Sequence, residues 1–587
     1  MRKKVAAFLS AVLIMTSLFS GNVQGAANEE GRQGDDYIVT ENLICFTDSI
    51  NPVVTTDENS KLSITSERSK FTNSSLKWEI GQNGKLFVET PIGFEPWQET
   101  NANLKKDSFI TYVYNETPVD EEMRFSFMTG DNLNCYFDMN MNFTGWRSVW
   151  VSYERDMEGT PSTRMDKLEI TAPAELEGHN VYFALMILAT PIDARHHSQT
   201  KQLPTVNEEC DLSANAHWMS LYSFDQATVL DLDSVNITEQ DRADFATVKS
   251  RFEERISEGV KSVANPTKLI KTYQSYHITN ENGKISGISV DYSKAMVIFD
   301  EFDIEDQLDT VDIKDYASTM KSVACYYLTA QTEEEKAKAK EMYMNLFLYL
   351  VDQGFDEGSG IGTVHHLGYS LRDNFYPALF LMKDVLKEEG YLEKAQEIMA
   401  WFSGLGRIFY KNTVANGVNV DVFCTEMNGM LGSIFMLEDE TEQIAMLKQF
   451  TDWLTYACSD QPGLYGPFKE DGSGFHHAMF YPAYTKTGLI GLTPVIYLLR
   501  GTSYRLPEEQ HQIVKDAVLM TRLYSNQLDY LVSVAGRHPT GKQKASADPL
   551  MWMALAGSPD GTETIDREVG AAYLRVADPA KNIKILM

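Results

Sequence analysis

The chain reads as a multidomain molecule in which an N-terminal β domain, a sandwich or jelly roll, is followed by a domain built almost wholly of helices. Three observations predict this. Short runs of alternating apolar and polar residues recur between about 36 and 232 at roughly 10-residue spacing, the pattern of a two-sheet β domain. Beyond 236 the apolar period lengthens to three or four residues, the spacing of amphipathic helices. Glycine-rich loops, 354–362, 463–474 and 536–541, then separate the helical segments. The expected division is a leader over 1–27, a β domain over 28–232 and a helical domain over 233–587.

The leader comes first. Arg2, Lys3 and Lys4 precede an apolar run from Val5 to Phe19, and small and polar residues continue to Ala27. This is the pattern of a secretory signal peptide, with cleavage expected after Gly25 or Ala27 and a secreted or periplasmic product. A run of about 15 residues is short of the ~20 that a spanning helix needs, and no later segment has the length to cross a membrane.

In the β domain the expected strands are Ser75–Ile80, Lys85–Thr90, Ser108–Asn115, Met123–Met128, Asn134–Asn140, Ser148–Tyr153, Lys167–Thr171 and Asn180–Leu188. Turn-forming sets such as Gln82-Asn83-Gly84 and Thr129-Gly130-Asp131-Asn132 divide them. Within this domain Trp146, in Asn142-Phe143-Thr144-Gly145-Trp146-Arg147, has two readings. It is a candidate for stacking on a sugar face, or a core tryptophan packed between sheets. The stretch from Ala194 to Leu232 reads as a polar connection.

The helical domain opens at Thr238, the expected N-cap of a helix carrying Phe245, Val248, Phe252, Ile256 and Val260. Helices are expected near Asp315–Leu328, from the capping box of Thr332 and Glu335 to Val351, and over Tyr376–Glu388, Leu392–Phe402, Thr441–Tyr456 and Glu508–Leu528. Successive antiparallel pairs of such helices stack as an open solenoid or close into an α/α toroid, and periodicity does not decide between them.

Composition narrows the function classes. With 52 basic and 83 acidic residues the formal charge is -31, which argues against non-specific nucleic-acid binding. The six cysteines, Cys45, Cys135, Cys210, Cys325, Cys424 and Cys458, form no C-x-x-C, so a zinc site is not indicated and buried free thiols are expected.

Histidine is scarce, 11 residues in all, yet five fall in three loop motifs. One runs Gly362-Thr363-Val364-His365-His366-Leu367-Gly368-Tyr369-Ser370-Leu371-Arg372. The second, Gly472 to Tyr484, sets His476 and His477 eight and seven residues before Tyr484. The third is Val534-Ala535-Gly536-Arg537-His538-Pro539. Imidazole and phenol are proton-transfer groups, and arginine beside a tyrosine favours the phenolate. The motifs hold few carboxylates for glycoside hydrolysis, and adjacent histidines do not readily point both rings at one metal ion. A Tyr-His-Arg set suits removal of a proton α to a carboxylate, the first step of β-elimination from a uronic acid. Arg372, Lys411, Lys486, Arg537 and Lys542 are the candidate basic residues for a polyanion, each lysine being equally readable as a solvated surface charge.

These residues, together with Arg155-Asp156-Met157, Thr190-Pro191-Ile192-Asp193 and Thr205-Val206-Asn207, make the chain resemble the chondroitin sulfate ABC lyases, bacterial polysaccharide lyases that act on glycosaminoglycans. The resemblance runs from about Asp36 to the C-terminus. It implies a jelly roll followed by an α/α toroid, and cleavage of chondroitin or dermatan sulfate by β-elimination. It implies that Tyr484 is the base and returns the proton to the leaving O4, and that His477 helps to bind the uronate and abstract its C5 proton. Arg537 would hydrogen-bond the tyrosine and the glycosidic oxygen. His366, or its neighbour His365, would serve the opposite uronate epimer. His365, Arg372, His476, His538 and Trp146 are the expected substrate-binding residues. Some members use a divalent cation such as calcium to neutralise the uronate carboxylate, but no Asp-rich calcium loop is visible in this chain.

The chain departs from the family pattern in two ways. His476 and Ala478 flank His477 where the family has an arginine and an acidic residue. The family also continues into large β-sandwich domains, one of which supplies a catalytic glutamate. Here the sequence ends at Met587, and Thr562 to Met587 reads as the start of such a β region, so reduced or absent activity of this chain is expected. A glycosaminoglycan-binding protein without chemistry and a glycoside hydrolase on the same helical scaffold are the alternatives.

Overall fold

In the computed structural model the described residues are 43–577, apart from 48, 97–105, 191–199, 204–220, 227–229, 282, 293–308, 362–366, 410–419, 462, 465, 478, 527–528, 531–533 and 535–543. The leader lies outside them. No helix among the described residues is long and apolar enough to cross a membrane.

The N-terminal part is β-rich. Its strands are β1 Leu43–Cys45, β2 Val54–Thr56, β3 Lys61–Thr65, β4 Ser75–Glu79, β5 Lys85–Glu89, β6 Ser108–Asn115, β7 Glu122–Thr129, β8 Asn132–Asn140, β9 Gly145–Ser152, β10 Glu158–Gly159, β11 Lys167–Thr171 and β12 Asn180–Thr190. The eight strands expected from alternation are all present, their ends shifted by three residues at most. The additional ones, β1, β2, β3 and β10, are five residues or shorter.

The strands form two antiparallel sheets. One has the order β3-β4-β12-β6-β9 with β1 also paired to β12, and the other β10-β8-β7-β11-β5-β2. Alternation explains what lies between them. Phe109 and Val113 of β6, Val149 and Val151 of β9, and Val181 and Phe183 of β12 turn into one core, where they meet Phe125, Phe137, Leu168 and Val88 of the second sheet. The opposite face of the first sheet is also dry. Tyr112 and Tyr114 of β6, Trp146 and Trp150 of β9, and Tyr182 of β12 form a second buried cluster. Segments from further along the chain belong to the same compact unit, which joins the described residues up to Thr205 with Ile270–Tyr316 and Met344–Leu367. They cover this second face: Tyr114 Oη donates to Asp352 Oδ1 at 2.6 Å, and Arg147 Nη2 meets Asp356 Oδ2 at 2.8 Å.

Trp146 is accordingly 1 % exposed, edge-on to Tyr114 with ring centroids 5.3 Å apart. A face that lies against other side chains is not open to a sugar, and this corrects the substrate-stacking expectation. The alternation places Trp146 on the outer side of β9; only the covering segments make that side interior.

The remainder is helical. Its helices include α1 Glu239–Glu258, α2 Ile313–Thr329, α3 Glu333–Asp352, α4 Phe375–Leu381, α5 Leu392–Ser403, α6 Val420–Thr425, α7 Met427–Met436, α8 Glu440–Ala457, α9 Pro482–Leu499, α10 Glu508–Leu523, α11 Asp548–Ala556 and α12 Arg567–Ala577. Thr238 caps α1, its side chain accepting from Asp241 N while Asp241 answers to the Thr238 backbone. At the start of α3 the Thr332 hydroxyl oxygen accepts from Glu335 N at 3.2 Å, while the Glu335 carboxylate accepts from Gln331 N at 2.9 Å, one residue before the partner expected of a capping box. The single helix expected over Tyr376–Glu388 is instead two, broken at Met382. Helices α6, α7, α9 and α11 are not evident in the sequence because they are nearly apolar all round, which erases the periodic contrast. The β start expected within Thr562–Met587 is contradicted over Arg567–Ala577, which is helical: Val569, Ala572 and Val576 recur at helical spacing and are buried.

A second compact unit gathers Val206–Leu269, Ala317–Tyr343 and Gly368–Met587. Within it α9 is central, packing against α6, α10 and α11. The approach of α6 is close because Gly491 of α9 has no side chain. A Cβ there would lie 1.9 Å from Phe423 O.

Candidate functional site

Close packing of α6 on α9 sets one wall of the site, and the loop before α9 sets the rest. The loop is anchored at Asp471, whose Oδ1 accepts from Ser473 N at 2.9 Å, an Asx turn. Gly474 then passes directly over α9, where a Cβ would fall 1.8 Å from Thr485 Oγ1. Its carbonyl accepts from Tyr481 N at 2.8 Å, and this closes the loop onto the start of the helix. Between these points Phe475–His476 and Met479–Phe480 pair as a short antiparallel ribbon. His477 at its turn has φ 52°, a left-handed conformation seldom taken by a residue with a side chain. Pro482 begins α9, whose first turn presents Tyr484.

This backbone path gathers four rings. His476 stacks on Tyr484, with centroids 4.4 Å apart and planes 29° from parallel. His477 meets the same tyrosine edge-on at 5.5 Å, and the two imidazoles are 3.9 Å apart. Tyr481 closes the group, 4.6 Å from Tyr484. His476 is 3 % exposed, whereas His477 and Tyr484 are half-buried and reachable from solvent.

Beneath the rings lies a carboxylate. Asp421 of α6 is 1 % exposed, its Oδ2 is 3.3 Å from His476 Nε2, and its Oδ1 accepts from Tyr369 Oη. Burial, and then the Asp421 charge, push the Tyr369 phenol far above its ordinary range, so it remains a hydrogen-bond donor. Arg372 lies over the Tyr369 ring at 5.2 Å; its Nε is 3.2 Å from Asp373 Oδ2 and its Nη1 contacts Cys424 Sγ. Burial holds the Cys424 thiol up at about 12, so it is neutral at ordinary pH. Lys486, also on α9, is half-buried, and burial pulls its ammonium below the usual range. Further along, Glu426 is buried beside Tyr376 Oη at 3.0 Å and Thr425 Oγ1 at 2.9 Å, and burial raises its carboxyl to about 7 despite the Arg407 charge.

Of the residues singled out in the sequence, His476, His477 and Tyr484 are together, and Arg372 joins them through Tyr369 and Cys424. His365, His366, Arg537 and His538 lie outside the described residues, as do Lys411 and Lys542. Trp146 belongs to the core of the β-rich part. Sequence reasoning missed Asp421, although one signal is present: a lone acid within the apolar run Val420 to Phe423, which folding buries only at a cost that needs compensation.

Among the described residues no three His, Cys, Asp or Glu side chains form a group able to hold a metal ion. Asp421 is already engaged by Tyr369 and His476. What the arrangement supplies is proton transfer: a reachable phenol between two imidazoles, backed by a buried negative charge.

Comparison with known proteins gives the following. A catalytic-domain model of a lyase family matches residues 232–583, and the corresponding lyase N-terminal model matches 40–205. The chondroitin sulfate ABC exolyase of Bacteroides thetaiotaomicron is 34% identical over 546 residues, 92% of this chain and 53% of that protein. The Proteus vulgaris exolyase is 30% identical over 559 residues, 92% and 55% of the two. The Proteus vulgaris chondroitin sulfate ABC endolyase is 25% identical over 581 residues, 91% and 54%. The chain therefore spans about half the length of these relatives.

Proposed function

We propose, from the premise that this chain belongs to the chondroitin sulfate ABC lyase family, that it is an exported polysaccharide lyase cleaving chondroitin- or dermatan-type glycosaminoglycans by β-elimination. The observation that carries this reading is the contact of His476 and His477 with one half-buried tyrosine, Tyr484, at 4.4 and 5.5 Å. Nothing in that contact requires the paired carboxylates of a glycosidase.

The chemistry follows from the groups present. Tyr484, as the phenolate, takes the C5 proton of the uronate bound across the loop. His477, on its left-handed turn, faces the same tyrosine and assists binding and proton abstraction. The electron pair of the C5–H bond forms the C4–C5 double bond, the C4–O4 bond breaks, and the proton held on Tyr484 passes to the departing O4. Arg537 is assigned to the tyrosine and the glycosidic oxygen, and His366 to the opposite uronate epimer. Arg372, His365, His476 and His538 are assigned to substrate binding.

The same membership supports reading the β-rich part as a jelly roll and the helical part as an α/α toroid. The basic start and apolar run before Ala27 support export by a cleaved leader. Incubation with chondroitin and dermatan sulfates, followed by ultraviolet absorbance of the conjugated unsaturated uronate, tests the function. A slow rise, in keeping with the reduced activity expected of this chain, that is lost in Tyr484→Phe is expected. New reducing ends without absorbance would indicate hydrolysis, and binding with neither would indicate a carbohydrate-binding protein; both sink the lyase reading.

A further inference from the structure

The strongest feature not used by the proposed chemistry is the carboxylate under the site. Asp421 is 1 % exposed on a six-residue helix that is otherwise apolar or neutral. A buried charge persists where its surroundings compensate it. Its described partners, Tyr369 and His476, both come from the loop motifs already identified. His476 in turn lies between Asp421 and Tyr484, on whose ring it stacks at 4.4 Å. The backbone carrying Asp421 is held against the backbone carrying Tyr484, because Gly491 lets α6 settle onto α9.

We propose that Asp421 is a positioning residue for Tyr484, acting through His476, and that Tyr369 is the donor that orients Asp421. The carboxylate selects the His476 tautomer or ion that carries hydrogen on Nε2, and it fixes the plane of the imidazole against which the phenol rests. The 3.3 Å separation is an ion-pair distance whose N–H···O alignment falls short of a hydrogen bond, as is common for catalytic contacts before substrate closes them. The imidazole then stands where the family pattern has an arginine, and the buried carboxylate gives this histidine a fixed orientation that an arginine would not require.

The role as stated rests on the lyase reading, so the test has one measurement that turnover does not enter. In the full chain, ¹⁵N spectra of the imidazoles, with the His476 signals assigned by their loss in His476→Gln, are expected to show hydrogen on Nε2. In Asp421→Asn that signature should shift, while His477 keeps its own. In the elimination assay Asp421→Asn should lower kcat about 10- to 100-fold, the range for loss of an outer partner that orients a working histidine, with KM changed less than about twofold. Tyr369→Phe keeps the ring and removes only the donor. It should lower kcat by a smaller factor in the same direction, and it decides the question should Asp421→Asn not fold. A folded Asp421→Asn or Tyr369→Phe chain with unchanged kcat and unchanged His476 signals would overturn the proposal. Should the wild-type chain show no elimination, the lyase reading fails, and the nitrogen spectra alone judge whether Asp421 holds His476.

Discussion

Gly474→Ala tests whether the loop is held by close contact rather than by its composition. The added methyl carbon would lie 1.8 Å from Thr485 Oγ1, 2.3 Å from Cγ2 and 2.5 Å from Cβ. Rotating the threonine cannot relieve all three, because its Cβ is among them. Loop and helix must part by roughly 1.5 Å to reach ordinary van der Waals separation. Overpacking of this kind costs about 1–3 kcal/mol. The displacement also strains the 2.8 Å bond from Tyr481 N to Gly474 O, on which the spacing of His477 and Tyr484 depends. A misplacement of about 1 Å at a reacting group costs on the order of 100-fold in rate. Urea unfolding followed by circular dichroism should show the stability loss, and the absorbance assay a rate lowered by about 100-fold. Gly570→Ala is the control, since its Cβ meets only Ala554 Cβ at 3.9 Å within reach of α12. It should be neutral or stabilise by up to ~1 kcal/mol, with full activity. Gly474→Ala with a wild-type urea midpoint and an unchanged rate would refute the idea that this contact sets the site.

Other outcomes follow from the same structure. Lys70 Nζ is 3.2 Å from Asp291 Oδ1 with both side chains buried, and Lys70→Met would leave the carboxylate uncompensated; a loss of about 3–5 kcal/mol is expected in chemical denaturation, and much less when Asp291 is replaced by leucine as well. Burial raises the Glu426 carboxyl to about 7, above its unfolded value, so its contribution to stability is full below the unfolded pKa and is lost as pH rises through about 7. Glu426→Gln should therefore flatten the fall in stability that wild type shows as pH rises from about 5 to about 8, with about 1.4 kcal/mol at stake for every pH unit by which folding raises this carboxyl; an unchanged slope in urea titrations would exclude this residue as the cause. Thr238→Ala removes the cap of α1, and a loss of about 1 kcal/mol is expected in the same measurement.

Much of the architecture is legible without coordinates, for definite reasons. The strand Ser108–Asn115 is readable because Phe109 to Tyr114 is a run of β-branched and aromatic residues, even though both its faces are buried, Phe109 and Val113 in one core and Tyr112 and Tyr114 in another. The caps of α1 and α3 are readable because a side-chain oxygen three residues before a matching acid has one economical use. Helix α9 is not, since Leu489, Leu492, Val495 and Ile496 are buried alongside Gly488 and Thr493 and leave no polar stripe. The expectation of β structure over the terminal helix α12 rests on the family resemblance, whereas its own register of Val569, Ala572 and Val576 is helical. In the site, Tyr369 stands within a histidine motif evident in the sequence, yet its role depends on a partner 52 residues away.

Local sequence alone determined the change from a period of two to a period near four, the helix caps, and the grouping of His476, His477 and Tyr484, because each is decided by neighbours within a turn or two of the chain. Only the tertiary structure decided that Trp146 is enclosed, that Asp421 lies under His476, and that Gly474 and Gly491 are points of contact. Those facts depend on which distant surfaces meet. Close packing between remote segments is set by the whole fold, and no local pattern records it.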